Sequence, residues 1–133
     1  MEREPVWVPL DILIAINVRA VSETGEPHTI RDIGLLESAW AKPQNRWAYE
    51  GERDLVRLAV ALMAGVAQNH PFQQGNKRTA FAAGLTFLDE NGFELDAQLD
   101  SADFADAFVA LIEHKVDEAA FAERLRPHVV PRD

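Results

Sequence analysis

The chain has 133 residues, no cysteine and a formal charge of −9 at pH 7. A length of this order builds one core without a disulfide or metal staple, and the lack of cysteine excludes thiolate chemistry. The acidity argues against nucleic acid or an anionic lipid surface as a bulk partner, and the longest apolar run, 55–67, is broken by Arg57 and too short to span a bilayer. The charged opening Met1-Glu2-Arg3-Glu4-Pro5 has no small-residue cleavage site, so a soluble protein of the reducing cytoplasm is expected.

Apolar spacing predicts helices almost throughout, in an all-α fold of about six helices forming a single domain over 1–133. Leu10, Leu13, Ile14 and Val18 mark a first helix over 10–21, ended at Glu23-Thr24-Gly25-Glu26-Pro27. A short second helix is expected over 32–41, stopped by Pro43. The pattern is strongest over 52–69, where Leu55, Leu58, Leu62 and Val66 form one stripe and alanines widen it. That is the signature of a central, buried helix. A second core helix is expected over 77–91, with Asn76 as N-cap and Asn91-Gly92 as stop. Ser101 is placed as the cap of a helix through Glu113 presenting Phe104, Phe108, Leu111 and Ile112, and a last helix runs to Arg126 before Pro127. Phe93-Glu94-Leu95 and His28-Thr29-Ile30 read as short strands at most. Trp40, Trp47 and Tyr49 read as lids over the core.

Charge is distributed unevenly. Residues 55–88 hold no Asp or Glu, although the chain carries 22; their charges are Arg57, Lys77 and Arg78, with His70 titratable. The two adjacent cations sit just past Gly75, at the start of a predicted helix. A helix N-terminus presents unpaired N–H groups and the positive end of the dipole, and a Gly before it lets an anion approach closely. With Lys77, Arg78 and Thr79 in the first turn, this loop suits a phosphate chain better than a single carboxylate. It is not a P-loop, because the upstream Gly and the preceding strand are both missing. His70 ends the preceding helix before Pro71, and an ordinary imidazole, with a pKa of about 6.5, can take a proton from a hydroxyl near neutral pH. Phe72 is expected to anchor the loop in the core. His28, His114 and His128 have no clustered partners, so a metal site built from them is not expected.

The string His70-Pro71-Phe72-x-x-Gly75-Asn76-Lys77-Arg78 resembles the signature of the Fic/Doc family, and Lys77 is similar to the Doc (death-on-curing) branch. Arg31-Asp32-Ile33-Gly34-Leu35-Leu36-Glu37-Ser38-Ala39 with Pro43, and the run from Lys77 through Leu88 to Asn91-Gly92, also resemble Doc segments, so the likeness covers roughly residues 10–95. It implies a compact helical Fic fold with His70 as general base. Asn76, Lys77 and Arg78 join it as catalytic residues, and Gly75, Asn76, Lys77, Arg78 and Thr79 form the nucleotide-binding turn. The segment 43–52 stands where the family has a flap that aligns the target. The implied function is a toxin of a toxin–antitoxin pair. It would transfer phosphate from a nucleoside triphosphate, ATP foremost, to a threonine of elongation factor Tu, under control of a separate antitoxin protein. Direct nucleic-acid binding and membrane association are not implied.

One position departs from the pattern. Where the family has the Asp or Glu that holds magnesium, this chain has Gln74. Gln74 offers a neutral carbonyl to a hard cation that prefers carboxylates, and a replacement acid must come from outside residues 55–88, with Asp54 or Glu52 the candidates. Three readings follow: an active toxin with weaker or different metal use, a shift to another phosphate-containing substrate, or a catalytically weakened or silent fold that binds a nucleotide or a partner. The enzyme-class alternative to phosphate transfer is a Fic-type nucleotidyl (AMP) transferase. Thr86-Phe87-Leu88-Asp89-Glu90-Asn91 fits the string of the inhibitory helix carried by some family members. It falls inside the helix after the motif, which leaves inhibition to the antitoxin.

Overall fold

The structure is a computed structural model describing residues 3–96 and 101–132, with Ser101 described by its backbone alone. The described residues form six α-helices: α1 (Leu10–Thr24), α2 (Ile33–Glu50), α3 (Leu55–Asn69), α4 (Asn76–Glu90), α5 (Ser101–Ile112) and α6 (Glu118–Leu125). A two-stranded antiparallel ribbon, β1 (Phe93–Leu95) with β2 (Val129–Pro131), pairs Glu94 with Val130; a 3₁₀ turn at Arg126–His128 leads into it. The fold is all-α, as the periodicity predicts.

α3 is the hub because its sequence is apolar on nearly every side: Val56 and all of 58–67 are buried. α2 and α4 pack along it, α5 and α6 cover more of its surface, and α1 lies against α4. At the α2–α3 crossing a Cβ on Gly65 would stand 3.2 Å from the Ala39 Cα, so glycine permits the close approach. Phe81, Phe104, Phe108 and Phe121 join α4, α5 and α6 through tilted rings 5.2–6.0 Å apart. Burying each such side chain contributes about 1.5–3 kcal/mol. Before α1, Trp7 stacks on Phe87 at 5.7 Å, and Trp40 Nε1 donates to the Val8 carbonyl. Among the described residues no helix is long and apolar enough to cross a membrane.

Several boundaries differ from the sequence expectation, each for a local reason. Pro43 does not stop α2; it is buried within a helix that runs on to Glu50 and ends at Gly51, whose φ is 70°. Proline removes one intrahelical donor, but Leu36, Ala39 and Pro43 form a buried stripe that holds the helix in place. Most of 43–52 is therefore helix rather than an open flap. α3 starts at Leu55, not at 52, because Asp54 caps it by accepting from the Val56 and Arg57 amides. α4 has Gly75 in the N-cap position, and Asn76 is its first helical residue. Pro127 lies within the 3₁₀ turn that continues from α6. Ser101 opens α5, and its expected capping role lies outside the described residues. The second strand of the ribbon was not foreseen, and of the 28–30 segment only Ile30 forms a bridge, to Phe72. Tyr49 is 84% exposed and covers nothing, whereas Trp40 and Trp47 pack against the core.

Candidate active site

The loop between α3 and α4 is held from three directions. α3 ends in His70, a non-glycine residue in the left-handed region with φ of 50°, whose N–H bonds the Val66 carbonyl. The strap entering α2 lies alongside the loop. The Arg31 and Asp32 amides donate to the Pro71 carbonyl, and the Gln73 amide donates to the Thr29 carbonyl. Arg31 also donates from Nε to the His70 carbonyl at 2.7 Å and from its terminal nitrogen to the Asn69 carbonyl at 2.9 Å. A cation bonded to the last carbonyls of α3 complements the negative end of its dipole and fixes the backbone from which His70 projects. The His70 side chain is exposed.

Beneath the loop, Phe72 is 1% exposed and anchors it as expected. Asn76 closes the turn on itself: its Oδ1 accepts from the Phe72 amide and its Nδ2 donates to the Phe72 carbonyl. Gly75 has φ of 76°, and a Cβ there would sit 3.0 Å from Val21 Cγ1. Conformation and space both call for glycine.

A buried asparagine on α1 supports the same turn. Asn17 is fully buried and donates from Nδ2 to the Gln74 carbonyl at 2.9 Å and to Thr79 Oγ1 at 3.0 Å. Its Oδ1 lies 2.7 Å from His28 Nδ1. Because the amide nitrogen is the donor to Gln74, this oxygen accepts, and the proton of His28 sits on Nδ1. The His28 ring lies 5.9 Å from that of Phe72.

These contacts divide the expected site residues by role. Lys77 is exposed and forms no ion pair among the described residues, so its ammonium is open to an anion. The helix start leaves the Asn76, Lys77 and Arg78 amides without intrahelical acceptors. Asn76 spends its side chain on the loop, and Thr79, placed among the ligand contacts by the sequence reading, is fully buried and turned toward Asn17. Both shape the turn from within. Arg78 is engaged: it donates to the Ala20 carbonyl, to Thr24 Oγ1 and, at 2.6 Å, to Glu26 Oε1. The Thr24 hydroxyl and the Arg78 guanidinium hold the Glu26 carboxyl below its ordinary pKa. Gln74 is exposed.

The replacement acids suggested by sequence are far away. Asp54 and Glu52 lie beyond the opposite end of α3, roughly 24 Å from His70 along the helix. Asp54 caps that end and pairs with Arg126, and Glu52 accepts from the Arg53 and Asp54 amides. Glu26 is the acid that reaches the loop, brought there by the turn after α1. Sequence reasoning passed over Asn17, Glu26, His28 and Arg31. Asn17 did leave a signal, a polar residue between Leu13 and Val21 on the buried face of α1.

An exposed histidine at a helix end, a glycine turn and cations at the next helix start are the arrangement that the Fic/DOC resemblance implies. The Fic/DOC family model matches residues 7–88, and the chain belongs to this family, in its Doc branch. It is 32% identical over 114 residues to the protein kinase doc of Escherichia phage P1, covering 86% of this chain and 88% of that one. It is 44% identical over 72 residues to the toxin Doc of Mycolicibacterium smegmatis, covering 53% of this chain and 55% of that one. The chain thus spans about half the length of the M. smegmatis toxin.

Proposed function

We propose that this chain is a Doc-type toxin that moves the terminal phosphate of a nucleoside triphosphate onto a protein hydroxyl. The observation that carries the reading is an exposed His70 and an exposed Lys77 at the two ends of one tied loop that leads into a helix N-terminus. In this mechanism His70 takes the proton of the target hydroxyl, whose oxygen attacks the γ-phosphorus. The bond to the bridging oxygen breaks, and the nucleoside diphosphate departs with its charge held by Lys77 and the α4 amides. Arg78 joins them by exchanging Glu26 for a phosphate oxygen. The target is a threonine of elongation factor Tu, ATP is the donor, and a separate antitoxin restrains the toxin.

Magnesium, which the family places at this loop, meets a poor donor set among the described residues. Magnesium at a nucleotide is held by one or two carboxylates beside the phosphates, and position 74 offers a neutral amide in place of one. The steps above are therefore assigned to the chain's own groups.

The adenylyl-transfer alternative shares the base and the turn. Gln74 favours a third reading, a binding module without turnover. Expression in a bacterial host separates toxin from silent module. The natural chain is expected to arrest growth and His70→Ala to abolish the arrest, whereas a harmless natural chain that turns toxic as Gln74→Asp contradicts the reading.

A further inference from the structure

We infer that the phosphate site of this chain works without a resident divalent cation, and that the side chain at position 74 is the reason. The inference rests on the nucleotide reading above and names the ligand form that the site takes: the free polyphosphate anion rather than its magnesium complex.

The carboxylates carry the argument: among the described residues, those bonded to the loop's cation or to the strap beside it are already committed. Glu26 accepts from Arg78 at 2.6 Å and from Thr24 at 2.5 Å. Asp32, whose amide bonds the loop at Pro71, turns its carboxylate to the Leu35 amide and caps α2. Glu52 and Asp54 belong to the far end of α3. The Gln74 carbonyl accepts from Asn17, and its exposed side chain supplies a single neutral oxygen. A small hard dication gives up its water for anionic oxygens, so this set has little with which to draw it from solvent.

On the positive side, Lys77 and the α4 amides are open to the ligand, and Arg78 joins them on exchanging Glu26 for a phosphate oxygen. Lys77, Arg78 and the unpaired amides at the start of α4 supply the neutralisation that a bridging cation would supply beside a carboxylate. A cation already on the nucleotide cancels the charge on which these groups act. Magnesium should leave affinity unchanged or lower it.

Calorimetric titration of the natural chain with ATP, once in EDTA and once in excess magnesium, tests this. The expected dissociation constants agree within about threefold, or favour EDTA. Gln74→Glu, an exposed near-isosteric change, is expected to bind at least roughly tenfold more tightly with magnesium than without it. Natural-chain binding that requires magnesium overturns the inference while leaving the nucleotide reading in place, and so does a Gln74→Glu variant indifferent to the metal. Absence of binding in both buffers overturns the nucleotide reading itself, and the inference with it.

Discussion

Arg78 donates to three acceptors contributed by α1 and the turn after it, and one of them is the Glu26 carboxylate. That carboxylate is held below the ordinary range, first by the Thr24 hydroxyl and then by Arg78, so it stays anionic through neutral pH. An incoming phosphate must displace it or share the guanidinium with it. Glu26→Gln removes the competing charge and keeps the side-chain shape. The variant is expected to bind ATP roughly two- to fivefold more tightly, the scale of one exposed ion pair, and calorimetry reads it directly. Unchanged affinity would mean that Arg78 stays with α1 and that Lys77 and the α4 amides carry the phosphates. None of this was legible in the sequence. The string Gly75-Asn76-Lys77-Arg78 shows which cations are adjacent, but 52 positions separate Arg78 from Glu26.

At the scale of elements, the two ends of α3 do different work. The C-terminal end presents His70, and the N-terminal end ties the chain's last turn to its central helix. Asp54 caps α3 and binds Arg126 at 2.6 Å. Burial raises the Asp54 pKa, but hydrogen bonds from Arg126 and from the Arg57 and Val56 amides outweigh it, and the net displacement is downward. A carboxyl depressed in the folded state stabilises the fold above its unfolded pKa of about 3.9, and the contribution is lost as pH falls through the lower folded value. Asp54→Ala is therefore expected to cost about 1–2 kcal/mol at neutral pH by urea unfolding, with the gap to the natural chain narrowing as pH falls below the unfolded pKa. The same scale shows where local rules mislead. Pro43 reads as a stop because it lacks a donor, yet the buried stripe of Leu36, Ala39 and Pro43 against α3 outweighs one lost hydrogen bond. Asn76 reads as an N-cap by residue type, yet its side chain reaches back to Phe72 and Gly75 takes that position.

For the whole molecule, the acidic balance and the acid-free stretch 55–88 describe one arrangement. The buried faces of α3 and α4 exclude charge because they are the core, and the first turn of α4 is where Lys77 and Arg78 reach solvent. Periodicity was enough to recover the six helices and the central place of α3, since a helix apolar on nearly every side has nowhere else to go. The loop with His70 and the Gly75 turn was legible as a unit because its residues are contiguous. The Asn17–His28 support and the Arg31 strap were not, since their partners are distant in sequence. The central claim is that this loop transfers a terminal phosphate with His70 as base. Incubating the purified chain and elongation factor Tu with ATP labelled in the γ-phosphate, and separately in the α-phosphate, tests it most directly. The account predicts γ-label on a threonine of the target, lost in His70→Ala, and no α-label. Transfer of α-label, or γ-label that survives His70→Ala, would contradict it.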